Sequence, residues 1–227
     1  MHSIYITGTD TGIGKTFVTA GLLTALNRQG FRAIGMKPVA TGSVCTPNGL
    51  KNNDALQLIA HSHYQLDYSL INPYVFEEAV APHIAAAQAG ITIELNPIKN
   101  AFEILHADAD AIVVEGVGGW AVPFSSTLMQ ADLVNSLGLP VILVVGLRLG
   151  CINHALLTAQ GIAADKCRLL GWIGNAIDPD FDRSEENLAT LKTRLGVPCL
   201  GVVPLIPNGL PAHADSFLEQ AVSMLNW

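Results

Sequence analysis

The stretch "GTDTGIGKT", residues 8–16, ends in a glycine, a lysine and a threonine, residue types suited to holding phosphate and a metal ion. Lys15 can reach β- and γ-phosphate oxygens as a point charge, and the Thr16 hydroxyl can take one position on Mg2+. Gly12 and Gly14 permit backbone geometries that a β-carbon would oppose. Five residues, not the usual four, separate Gly8 from Gly14. Since the chemistry resides in Gly14, Lys15, Thr16 and the turn itself, the displaced Gly8 is expected to matter little.

A phosphate loop needs acidic help for its metal. Glu115 ends the run "DAIVVE", where an acid at a strand's C-terminal edge faces the crevice in which α/β sheets bind ligands. Asp54 opens "DALQLIA" and reads either as a second metal ligand or as a helix N-cap. Lys37, in "GMKPVATG", falls on the same sheet edge; a lysine there either snorkels to solvent or serves catalysis. "EGVGGW", residues 115–120, is an ordinary turn or a source of backbone amides for close approach to an oxyanion. Asn175 closes "LGWIGN" with an amide that suits a purine edge or a turn.

Other chemistries find little support. The seven histidines form no metal-ligand spacing, and Ser125 and Ser126 lack a nucleophile-elbow pattern. Cys45, Cys151, Cys167 and Cys199 lie far apart, with no CxxC pair and no signal-like segment before them; they read as reduced thiols of a cytoplasmic protein, most of them core or near-core residues.

These residues need a scaffold. Short β-branched runs recur at 3–7, 33–38, 111–115, 141–146, 169–175 and 199–203, with helix-compatible segments between them. Several runs are apolar on both faces, as strands covered from both sides should be. The spacing predicts an α/β, three-layer fold with a mostly parallel central sheet, helices on both faces and a P-loop NTPase-like phosphate turn. Phe17, Val18, Leu22, Leu23 and Leu26 mark the first helix, which Gly30 would end; Ala155, Leu156, Ala159 and Ile162 mark another. The polar stretch 41–53 reads as a long functional loop. One domain is expected across residues 1–227.

Half of the 227 residues are hydrophobic and only 14% are charged, which favours burial of a further face against a second subunit. With a net charge of −7 and scattered Lys and Arg, no basic stripe for nucleic acid exists. The apolar run "PVILVVG" is far too short to cross a bilayer.

Taken together, "TGTDTGIGKT", "GMKPVATG" with "NNDAL", "INPYVFEEAVAPHIAA", "VVEGVGGW", "LPVILVVGLRLGCINHALLTAQ" and "GWIGNAID" resemble the dethiobiotin synthetases, ATP-dependent ring-closing enzymes of biotin synthesis. The resemblance covers nearly the whole chain and weakens after about Leu205. It implies a homodimer, Mg2+, ATP as co-substrate, CO2, and 7,8-diaminononanoate, whose two neighbouring amines are joined into a cyclic urea. It implies Lys15 and Lys37 as the cations around a carbamate and the γ-phosphate, and Thr16, Asp54 and Glu115 as Mg2+ ligands. Nucleotide contacts fall on Gly12, Ile13, Gly14, Lys15, Thr16 and Phe17, on Glu115, Gly116, Val117 and Gly118, and on Asn175, Ala176, Pro204, Leu205 and Ile206. Substrate contacts fall on Thr11, Thr41, Gly118 and Gly119. In the family the partner subunit supplies a helix N-terminus for the substrate carboxylate, here Gly150, Cys151 and Asn153, and the helix dipole favours an anion there. The segment 204–211 lacks the aromatic and the acid associated with adenine and ribose contacts.

Two other classes share the phosphate loop: amide-forming or nucleotide-handling relatives, and partitioning-type switch ATPases. The switches carry a second lysine early in the loop, where this chain has Asp10, and often a basic or amphipathic tail, where this chain is acidic.

Overall fold

The computed structural model describes residues 2–205 and 214–225. Strand β1 (His2–Gly8) leads into helix α1 (Lys15–Arg28), then β2 (Ala33–Met36), β3 (Val39–Ala40) and the hairpin β4 (Val44–Thr46) and β5 (Gly49–Lys51). Helices α2 (Asn53–His61) and α3 (Tyr68–Ile71), strand β6 (Tyr74–Val75), and helices α4 (Pro82–Gln88) and α5 (Leu95–Asp108) follow. Next come β7 (Ala111–Glu115), α6 (Gln130–Leu137), β8 (Val141–Leu147), α7 (Cys151–Ala164), β9 (Leu169–Ala176), α8 (Ser184–Arg194), β10 (Cys199–Val203) and α9 (Ala214–Met224).

Six strands form one sheet in the order β10-β9-β8-β1-β7-β2, every neighbouring pair parallel. All six predicted strands are present, and β7 and β10 have the predicted bounds. Alternation along β1 explains the layers: Ile4 and Ile6 pack with Val18, Leu22 and Leu26 of α1 and with Leu218 of α9, while Tyr5 points into the opposite cluster with residues of α5 and α6. A third cluster joins β8 and β9 to α7 and α8 through Leu143, Val145, Trp172 and Leu191.

Two local readings change. Strand β2 stops at Met36 instead of Pro38, because the Lys37 N–H donates to the Ile71 carbonyl (2.8 Å) and leaves the ladder. The stretch 41–53 contains a hairpin, closed where the Thr46 hydroxyl donates to the Gly49 carbonyl (2.7 Å) and accepts from the Asn48 N–H (3.2 Å). Its three-residue strands are too short for periodicity to reveal. Cys45 lies on this hairpin and is exposed, unlike Cys151, which is buried.

The parallel register sets the site. Ile6 pairs with Glu115, so β1 and β7 end side by side, and the loops after them open at one edge of the sheet.

Candidate active site

The phosphate loop connects β1 to α1. Gly14 is the N-cap of α1 at φ +84°, and a β-carbon there would collide with the Asn175 side chain. The Asn175 amide donates to the Ile13 carbonyl (2.8 Å), so β9 supports the loop from beneath. Ile13 itself is buried, wedged against Gly8 and Gly146. A β-carbon at Gly8 would come within 2.8 Å of Ile13 Cδ1 and 3.1 Å of Lys15 Cδ. Gly8 therefore matters to the loop after all, through its packing.

Asp10 organises the rest of the turn. Its Oδ1 accepts from the Thr11 N–H (2.7 Å) and its Oδ2 from Arg148 Nη2 (2.6 Å), while its carbonyl accepts from Lys15 Nζ (2.9 Å). Lys15 thus rests on its own loop. Burial, reinforced by the nearby Lys37 ammonium, lowers its pKa to about 8, and an arriving phosphate would reverse that pressure.

Lys37 stands at the floor of the site, 2% exposed, where the sequence also allowed snorkelling. Its ammonium donates to Glu115 Oε1 (2.6 Å), Asp54 Oδ2 (2.9 Å) and the Gly116 carbonyl (3.1 Å). Burial works against the charge, but Glu115 and then Asp54 outweigh it and hold Lys37 above its ordinary value. Burial would likewise raise the Asp54 carboxyl; Lys37, with Thr16 and Lys15 behind it, keeps it below the usual carboxylate range. Asp54 is free for this role because Asn52, not Asp54, caps α2: its side-chain oxygen accepts from the N–H groups of Asp54 (3.0 Å) and Ala55 (3.3 Å).

The donor set fits Mg2+. The Thr16 hydroxyl donates to Glu115 Oε1 (2.9 Å), and Glu115 Oε2 is buried with no hydrogen-bond partner among the described residues. Two carboxylates and a hydroxyl are hard oxygen ligands of the kind Mg2+ takes when phosphates supply the remainder. Among the described residues, no group of three or more His, Cys, Asp or Glu competes with them.

A cavity of about 870 Å3 opens above these groups. Its polar wall carries Thr11, Lys15, Thr16, Lys37, Thr41 and Asp54, and its glycine-rich rim carries Gly12, Gly14, Val117, Gly118 and Gly119. Sequence reasoning gave no role to Asn52 or to the apolar wall of Ala79, Val80, Ala81, Pro82, Ala121, Val122 and Pro123. Pro82 at the start of α4 signals a helix N-terminus, but a small apolar residue carries no mark of whether it faces a core or a cavity.

The remaining expected positions among the described residues do not line the cavity. Glu115 and Gly116 form the floor behind Lys37. Phe17 packs on the core beneath α1, and Ala176 against the α7–α8 cluster. Pro204 and Leu205 are exposed beyond β10, and Ile206 lies outside the described residues. Gly150, with φ +91°, caps α7; Cys151 behind it is buried and Asn153 is exposed, and none of the three lines the cavity.

A family model described as "AAA domain" matches residues 2–211. The chain is 54% identical to the ATP-dependent dethiobiotin synthetase BioD of Xanthomonas campestris pv. campestris strain 8004, over 93% of this chain and 96% of the relative. It is 55% identical to the protein of that name from Xanthomonas oryzae pv. oryzae strain PXO99A, over 96% and 97%. The chain belongs to the ATP-dependent dethiobiotin synthetase family.

Membership makes the chain an ATP-dependent ligase. The fold is shared more widely: the Aquifex aeolicus MinD cell division protein in complex with MinC superposes with a TM-score of 0.62 over 100% of this chain and 97% of that one, at 18% identity. At that identity the likeness speaks for the three-layer P-loop architecture alone. This chain and that cell division protein thus share the scaffold. Here the position of the switches' early lysine is Asp10, committed to Arg148 and Thr11. No helix among the described residues is long and apolar enough to cross a membrane, and Leu218, Ala221 and Val222 of α9 are buried in the core.

Proposed function

We propose that this single-domain chain closes 7,8-diaminononanoate and CO2 into dethiobiotin at the expense of ATP, acting as a cytoplasmic homodimer with Mg2+. The observation that carries the reading is Lys37, a charged ammonium buried between Asp54 and Glu115 on the floor of a cavity walled on one side by the phosphate loop.

In the first step one amine of the substrate adds to the carbon of CO2 and loses a proton, giving a carbamate. A carbamate oxygen then attacks the γ-phosphorus of ATP and expels ADP, leaving a carbamic–phosphoric anhydride. Finally the neighbouring amine attacks the carbamoyl carbon, loses a proton and expels phosphate as the cyclic urea forms. Phosphorylation is required because an unactivated carbamate oxygen is a poor leaving group, and the tethered second amine makes closure effectively intramolecular.

The chain's own groups suit these demands. Lys37 offers a fixed positive charge where carbamate and γ-phosphate oxygens would meet, and Lys15 swings from the Asp10 carbonyl to the phosphates. Thr16, Asp54 and Glu115 would hold Mg2+, which when bound neutralises phosphate charge. Thr11, Thr41 and the backbone of Gly118 and Gly119 border the space for the diamine, and the apolar wall from Ala79 to Pro82 suits a methylene chain. The α7 N-terminus at Gly150, which does not line its own cavity, suits the carboxylate of substrate held by the partner.

Labelled bicarbonate should enter a cyclic urea only when ATP, Mg2+ and the diamino acid are all present. Vigorous ATP hydrolysis indifferent to the diamine would instead favour the switch reading.

A further inference from the structure

We infer that Gln130 is a positioning residue that clamps the glycine turn after β7 into its working shape. The inference rests on the proposed function above, in which that turn borders the diamine and carbamate.

Gln130 is the first residue of α6 and has no solvent exposure. Its Oε1 accepts from the Val117 N–H (2.9 Å), and its Nε2 donates to the carbonyls of Gly119 (2.7 Å) and Trp120 (3.4 Å). One side chain therefore ties both limbs of the "GVGGW" turn. Gly118, the residue between the ties, stands at φ +63° on the cavity rim. Neither the Gly118 nor the Gly119 N–H donates to a protein acceptor among the described residues, so both remain available to a ligand. A fully buried amide is costly unless its donors and acceptor are all used, and here all are. The fit is close: a β-carbon on Gly116 would lie 2.9 Å from Gln130 Oε1 and 2.6 Å from the Tyr5 hydroxyl.

A purely structural role, anchoring α6, is already filled by the Gln130 backbone and the Asp132 side chain. The Gln130 N–H donates to the Val122 carbonyl (2.8 Å), and Asp132 Oδ2 accepts from the Met129 N–H (2.7 Å). The side chain is thereby left to the turn. Trp120 fixes the far end independently, its indole donating to Asp165 Oδ2 (2.7 Å) beside Gly161.

The test compares the parent with Gln130→Leu, which removes every tie, and Gln130→Glu, which retains the acceptor for Val117 and removes the donor to Gly119 and Trp120. Amide hydrogen exchange, the Kd of a non-hydrolysable ATP analogue with Mg2+, and steady-state kinetics with the diamino acid are measured on each. In Gln130→Leu, exchange of the Val117 amide, which donates to Gln130, should quicken at least about tenfold, and kcat/KM for the diamino acid should fall at least about thirtyfold, with a loss of nucleotide affinity well below the loss for the diamine. Gln130→Glu should fall between the two, and carries the same readouts if the leucine variant does not fold. Kinetics within about twofold of the parent, or a loss of nucleotide affinity equal to the loss for the diamine, would overturn the inference. Should the parent incorporate no bicarbonate, the proposed function fails; the exchange measurement then decides the clamp alone, upholding it if the turn quickens and overturning it if not.

Discussion

Strands β2 and β7 are bracketed by an ion pair at each end. Before the strands begin, Arg32 grips Asp110 through two guanidinium nitrogens (3.0 and 2.9 Å) and its own N–H (2.9 Å). After they end, Lys37 meets Glu115 at 2.6 Å. The first pair is 50% and 40% exposed, the second 3% and 0%. The same two strands, joined by the same combination of charges, thus carry one pair in water and one in the interior. The exposed pair is screened and contributes little. The buried pair costs desolvation that an apolar pair of similar volume would avoid, so stability does not account for it. Catalysis does: a charge already stripped of water acts on developing negative charge without solvent reorganisation.

The comparison is most sharply tested at the buried end. Lys37→Ala should lower bicarbonate incorporation by about 100-fold or more while circular dichroism still reports the fold; near-normal turnover would remove Lys37 from the mechanism. The next effect is on stability. Lys37→Met leaves Glu115 without its partner in the interior and should cost on the order of 3–5 kcal/mol, whereas Lys37→Met combined with Glu115→Leu should regain most of that loss without regaining activity. Denaturant titration distinguishes them, and a double variant no more stable than the single one would mean that the pair stabilises the fold.

The smallest effect belongs to the exposed end. Hydrogen bonds from the Arg32 side chain, then from its backbone, hold Asp110 at about 2 against an ordinary 3.8. A carboxylate depressed in the folded state contributes stability that is fully present above its unfolded pKa and is lost as pH falls through the folded one. The difference in Tm between the parent and Arg32→Ala should therefore be small and constant above about pH 4.5, and should shrink toward about pH 2. A difference that persists unchanged in acid would point to packing of the arginine stem, not to the ion pair. Turnover should not change, because Arg32 lies at the opposite end of the strands from the cavity.

How much of this was legible beforehand depends on the range over which each signal acts. The six strands, their parallel arrangement and the position of the phosphate loop follow from hydrophobic runs and glycine punctuation, signals that act within about ten residues. The hairpin at 44–51 escaped because its strands are short. Asp54 and Lys37 were visible as candidates, but a choice between cap and ligand, or between snorkel and catalyst, depends on what stands across the cavity. Asn52 took the cap, and Glu115, 78 residues from Lys37, took the lysine. Gln130 carries no local mark at all.

The sequence by itself determined the scaffold and the residue types at its functional edge, because backbone periodicity and loop chemistry are local and survive in the linear chain. Only the tertiary structure decided protonation, burial and orientation. The Lys37 charge, the spare oxygen of Glu115 and the Gln130 clamp arise from groups distant along the chain and adjacent in space. Electrostatic energy depends on separation and on surrounding water, and neither is written in the order of residues.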